Sequence, residues 1–109
     1  MKYHNIKCEY KGIKFDSKKE RDYYIILENY EKRGLITDLK RQVKFELQPS
    51  YKIGNETIRS ISYYADFTYK KDNELVVVDV KSSATRKDKV YILKKKLFMY
   101  KYKIKIEEV

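Results

Sequence analysis

Tryptophan is absent from the 109-residue chain, and cysteine, proline and histidine each occur once. The lone Cys8 excludes an intramolecular disulfide framework and suits a reducing cytosol, so a cytoplasmic location is expected. One proline and three glycines are too few for a collagen-like or low-complexity chain. No apolar run approaches the roughly 18 residues that a membrane span needs, which sets aside a transmembrane protein. The basic start Met1-Lys2-Tyr3-His4 leads into no apolar segment, so a cleaved secretory signal is not expected. His4 has no partner at metal-ligand spacing and is assigned no role.

Negative charge is also scarce. Sixteen acids stand against 26 bases, a net charge of +10, and between Lys81 and Lys105 the only acid is Asp88. On so small a body that surplus favours a polyanion, most often nucleic acid, over an acidic membrane surface or plain solubility. The chain is not disordered by composition: 42% of residues are hydrophobic and 15% aromatic, enough to build a core. Its length predicts a single domain over residues 1–109, burying roughly two-thirds of its unfolded surface.

Ile6 to Phe15 reads as a hairpin turning at Lys11-Gly12. Ser17-Lys18-Lys19-Glu20 is a capping box that opens a helix reaching about Arg33, with Gly34 just beyond its end. Leu39, Arg41, Val43, Phe45 and Leu47 alternate as a strand, and Gly54-Asn55 supplies a turn returning through Ile58. Ile61 to Tyr69 and Glu74 to Lys81 are two further strands. In the second, Val76-Val77-Val78 is apolar on both faces, as at a sheet centre. Ser82 to Thr85 reads as loop. A basic helix over Lys87 to Tyr100 carries Val90, Leu93, Leu97 and Tyr100 on one face, and Tyr102 to Val109 closes as a strand. The order predicts an α/β fold, a mixed sheet flanked by helices.

Three acids stand in places that disfavour them. Glu20 lies only about 20° around the helix from Leu27, on the stripe shared with Tyr23, Tyr24 and Tyr30; the capping box alone would also account for it. Asp66 and Asp79 each interrupt a run of β-branched and aromatic residues, where Asp is depleted. A two- or four-residue turn at Asp72-Asn73 pairs Val78 with Phe67, sets Asp79 opposite Asp66 and sets Lys81 opposite Tyr64. A three- or five-residue turn would separate the two aspartates onto opposite faces. Opposed carboxylates about 5 Å apart repel, which a cation or a proton relieves. Lys81, two residues after Asp79, leaves the same face about 6.6 Å further along. A salt bridge would explain it. The chemical reading is two oxygen-donor carboxylates for Mg²⁺ or Mn²⁺ with an ammonium beside the metal-bound water, the parts phosphodiester hydrolysis requires.

This pattern resembles the PD-(D/E)XK metal-dependent nucleases, with Asp79-Val80-Lys81 as the acid-x-Lys half, Asp66 as the preceding acid and Glu20 as the helix acid; Ala65 stands where the pattern is named for proline. More narrowly it is similar to a small phage-encoded family related to Holliday junction resolvases. The matching stretches are Gly12 to Glu20, Gln42 with Phe45 and Leu47, Tyr64 to Phe67, Val78 to Lys81 and Tyr91 to Leu97. Ser82 departs from the glycine that often follows the lysine.

The resemblance implies a restriction-endonuclease-like core in which Asp66 and Asp79 ligate Mg²⁺ or Mn²⁺, Glu20 joins them, and Lys81 activates water and stabilises phosphoryl charge. Gln42 would contact substrate or water. Arg86, Lys87, Lys89, Lys94 and Lys96 would carry the site into a DNA surface, and Tyr64 would stack there. Twelve tyrosines without tryptophan equally suit core edges for Tyr63, Tyr64 and Tyr91. Lys95 is expected in solvent. The implied activity is an endonuclease acting on branched DNA as a homodimer, because paired nicks on a symmetric junction need two equivalent sites. A non-catalytic DNA-binding domain on the same fold, and a nuclease acting on flaps or ends, are the alternatives.

Overall fold

A computed structural model describes residues 7–109; His4 and the Ile6 start of the first hairpin lie outside them. The chain runs β1 (Cys8–Tyr10), β2 (Ile13–Phe15), α1 (Lys18–Lys32), β3 (Thr37–Gln48), β4 (Tyr51–Ile53), β5 (Glu56–Ile58), β6 (Ile61–Lys71), β7 (Glu74–Asp79), α2 (Ser83–Arg86), α3 (Lys89–Tyr102) and β8 (Ile106–Glu108). Four strands form a mixed sheet in the order β3-β6-β7-β8, antiparallel except for the parallel β7/β8 pair. The result is an α/β fold with restriction-endonuclease-like topology. Among the described residues no helix is long and apolar enough to cross a membrane.

Local chemistry accounts for most boundaries. Lys11-Gly12 and Asp72-Asn73 take positive φ at both central positions, the geometry that two-residue hairpins require. Ser17 caps α1 by accepting from the Glu20 N–H at 3.1 Å. Asp88 caps α3 through the N–H groups of Val90 and Tyr91, which is why that helix starts at Lys89 rather than Lys87. Ser82 caps the single turn α2, a segment expected to be loop.

Two apolar clusters cover the two faces of the sheet, and β7 feeds both: Val76 and Val78 pack into one, Val77 into the other. The first joins Phe67, Tyr69 and Ile36 to Phe15 and to Leu27 of α1. The second joins Tyr63, Ala65 and Ile106 to Phe98 of α3. Burial of each large apolar side chain contributes about 1.5–3 kcal/mol.

The expected single face of β3 is corrected. Leu39 packs under α1, whereas Phe45 and Leu47 pack under α3. In β6, likewise, Phe67 and Tyr69 lie under α1 and Tyr63 and Ala65 under α3. Both strands exchange faces between the pairs Arg41–Phe67 and Val43–Ala65. The exchange centres on Gln42, whose φ of 49° lies in the left-handed region that non-glycine residues seldom adopt. Residues 42 and 66 thereby escape the ordinary alternation of the sheet.

The stripe on the second helix is also corrected. Val90, Leu93, Leu97 and Tyr100 are exposed, and the buried face belongs to Phe98, flanked by Tyr91 and Tyr102. Phe98 lies 4.9 Å from the Phe45 ring centroid and 5.1 Å from that of Tyr63. The helix is apolar on two sides, and the aromatic side fills the space against the sheet. Lys95 is not in free solvent; it is half-buried and pairs with Glu108 at 3.0 Å.

Candidate active site

The β6/β7 register is the one a two-residue turn dictates, from Lys71–Glu74 through Phe67–Val78. There the strands part, and Asp66 and Asp79 occupy the fork. Each carboxylate binds the other strand's backbone: Asp79 Oδ1 accepts from the Asp66 N–H at 3.1 Å, and Asp66 Oδ2 from the Val80 N–H at 2.9 Å. Because the strands separate, β7 ends at Asp79, and Lys81 neither continues it nor faces Tyr64 as expected. The Lys81 N–H donates to the Val109 carbonyl instead.

Glu20 arrives from the first turn of α1, buried in line with Leu27. The capping box is half used: Ser17 accepts from Glu20, but the Glu20 carboxylate turns to the sheet. Gln42 Nε2, swung out by its left-handed backbone, donates to Glu20 Oε2 and to Asp66 Oδ1, both at 3.3 Å. One amide therefore holds two carboxylates together. They line a pocket of about 180 Å³ with Asp16, Lys19, Lys81 and Thr85. Lys19 donates to the Lys81 carbonyl at 3.1 Å, and the Lys81 ammonium lies 4.7 Å from the Tyr91 ring centroid.

Asp79 is placed differently from the other two. It is fully buried, its second oxygen accepts from the Tyr63 hydroxyl, and it does not line the pocket. Among the described residues no group of three or more His, Cys, Asp or Glu is positioned to hold a metal ion. As donors for a hard cation, Glu20 and Asp66 fit: two carboxylates gathered at an open pocket. Asp79 fits only after Tyr63 releases it.

Burial and neighbouring negative charge act on both pocket carboxylates in the same direction. Burial pushes the Glu20 carboxyl up to about 7, with Asp66 and Asp16 adding to the rise and Arg41 and Gln42 opposing it. Burial also raises Asp66; the Val80 N–H opposes that, the charge of Asp79 adds to it, and Lys81 and Gln42 oppose it. A folded state that holds the Glu20 proton up to about pH 7 loses stability as pH rises from about 4.5 to 7, because the unfolded chain releases that proton first. The shift alone corresponds to about 3 kcal/mol, which solvent screening at an open pocket reduces to about 1–2 kcal/mol. Urea unfolding in chelator should show this decline in the wild type relative to Glu20→Gln. Parallel profiles for the two proteins would contradict it.

Of the expected DNA contacts, Tyr64 and Lys94 meet in one groove together with Lys44 and the exposed Ile61, Val90, Leu93 and Leu97. Arg86 lies on another surface with Lys95 and Lys105. Lys87, Lys89 and Lys96 are exposed. Sequence reasoning missed Lys19 and Asp16 at the pocket, Arg41 behind Glu20, and the contacts of Tyr63 with Asp79 and Tyr91 with Lys81. Lys19 could have been found, since it precedes Glu20 in the capping turn. The tyrosine contacts depend on the fork and left no local signal.

The fold and pocket define a restriction-endonuclease-like α/β domain with an acidic centre bordered by lysines. The chain belongs to the family described as protein of unknown function (DUF1064), whose sequence profile matches residues 1–108. No curated protein and no solved structure matches the chain.

Proposed function

We propose that this protein is a divalent-metal-dependent endodeoxyribonuclease of the PD-(D/E)XK type, cutting branched DNA in phage recombination or replication. The observation that carries the reading is the Gln42 amide joining Glu20 and Asp66 in a pocket bordered by Lys81 and Lys19. Glu20 and Asp66 would hold Mg²⁺ or Mn²⁺, and Asp79 would join once Tyr63 lets go. Such an ion supplies a polarised phosphoryl oxygen and a water acidified towards neutrality. Lys81 offsets the charge that develops on the phosphoryl group. Lys19 donates to the Lys81 carbonyl but has no carboxylate partner within ion-pair distance among the described residues, so its charge remains available to a neighbouring phosphate. The basic surplus supports a DNA substrate, and the exposed Val90, Leu93, Leu97 and Tyr100 support a homodimer.

A second reading, a DNA-binding domain without catalysis, is favoured by the sealed position of Asp79. Cleavage of four-way, flap and linear duplex DNA with Mg²⁺ or Mn²⁺ separates the two. Metal-dependent nicking of the four-way junction is expected, abolished by chelator and by Asp79→Asn. Preference for flaps or ends would keep the enzyme and change its substrate. Binding without cutting of any substrate would leave the second reading.

A further inference from the structure

We infer that Tyr91 is a positioning residue for Lys81, holding the ammonium over its ring face at the edge of the acidic pocket. The inference rests on the nuclease reading for its functional meaning and on geometry for its existence.

Lys81 has left the strand, so no sheet neighbour fixes its side chain. Its main chain is secured at both ends: the N–H donates to the Val109 carbonyl at 3.1 Å, and the carbonyl accepts from Lys19 Nζ at 3.1 Å. The side chain then has one substantial partner, the Tyr91 ring, with Nζ 4.7 Å from its centroid. No carboxylate lies within ion-pair distance of that ammonium among the described residues. A ring face attracts the cation without neutralising it, so the charge remains available to a phosphate.

The ring is itself fixed. Tyr91 sits in the first turn of α3, half-buried against the second cluster, and its hydroxyl donates to Glu108 Oε2 at 2.6 Å. Glu108, on β8 beside Asp79, is held from the other side by Lys95 at 3.0 Å. The chain Lys95–Glu108–Tyr91–Lys81 thus ties the helix and the last strand to the cation. This gives the half-buried Lys95 a purpose other than the solvation expected of it.

The test has one reading independent of cutting. In the wild type the Lys81 ε-methylene protons should resonate upfield of the other lysines, displaced by the ring current of Tyr91. Tyr91→Phe, which keeps the ring, should retain most of that displacement, and Tyr91→Leu should lose it. Where junction DNA is cut, Tyr91→Leu should lower kcat by about tenfold with KM within about twofold, and Tyr91→Phe should recover most of the loss. Glu108→Gln, at the edge of the domain, covers the case in which Tyr91→Leu fails to fold, and should shrink the displacement. If no DNA is cut but the displacement follows the ring, the clamp stands and the nuclease reading falls. An ordinary Lys81 resonance in the wild type, or unchanged kcat in Tyr91→Leu, overturns the clamp.

Discussion

Asp66→Asn should cost metal-dependent cleavage a factor on the order of 10³ while leaving the metal-free protein at pH 7.5 as stable as the parent, or more so. The two halves of this outcome come from the same electrostatics. In the absence of a cation, the Asp66 charge is unfavourable: burial raises its pKa and the charge of Asp79 adds to the rise. Asparagine removes that charge and can still accept from the Val80 N–H through its carbonyl oxygen. Gln42 Nε2 keeps its bond to Glu20, and the new amide nitrogen, at the open pocket, meets solvent. A residue kept for folding would show the reverse, a loss of stability with activity falling only in proportion. Quantitative nicking assays alongside urea unfolding of both proteins decide between them. A stability loss above about 1 kcal/mol, or cleavage within tenfold of wild type, would move the acidic centre away from Asp66.

Much of the fold was legible because its determinants are local. Ser17, Gly34, Gly54-Asn55 and Asp72-Asn73 specify caps and turns within a few residues of themselves, and the last of these sets the β6/β7 register. That register brought Asp66 and Asp79 near one another, though at the fork and through backbone N–H groups rather than as the opposed pair expected, and helical spacing brought Glu20 to the buried stripe. What escaped were features that arise only when elements pack. Periodicity cannot show that β3 and β6 trade faces at Gln42, because the alternation of Leu39, Phe45 and Leu47 is identical on either side of the exchange. Nor could it choose between the two apolar sides of α3, which the Phe45 and Tyr63 rings decide. The parting of the strands after Phe67–Val78 changed most at the site. It removed Lys81 from the sheet, gave it to Tyr91, and left Asp79 under Tyr63.

That last contact yields the second large effect. Tyr63→Phe should destabilise the metal-free protein by about 2–4 kcal/mol, because it takes the hydroxyl donor from a fully buried carboxylate and supplies nothing in return. The ring itself remains to pack against Phe45 and Phe98, so lost apolar contact contributes little. Asp79→Asn in the Tyr63→Phe background should recover much of the loss, since a neutral amide tolerates an unpaired position better than a carboxylate does. A double-mutant cycle by urea unfolding should therefore give a coupling of about 1–3 kcal/mol between residues 63 and 79. Mn²⁺ binding measured calorimetrically on the same four proteins separates structure from chemistry. If Asp79 becomes a ligand when Tyr63 releases it, Tyr63→Phe binds the ion more tightly than wild type, and the added Asp79→Asn reverses the gain. Equal affinity in all four would confine Asp79 to holding the fork closed and leave Glu20 and Asp66 as the metal pair.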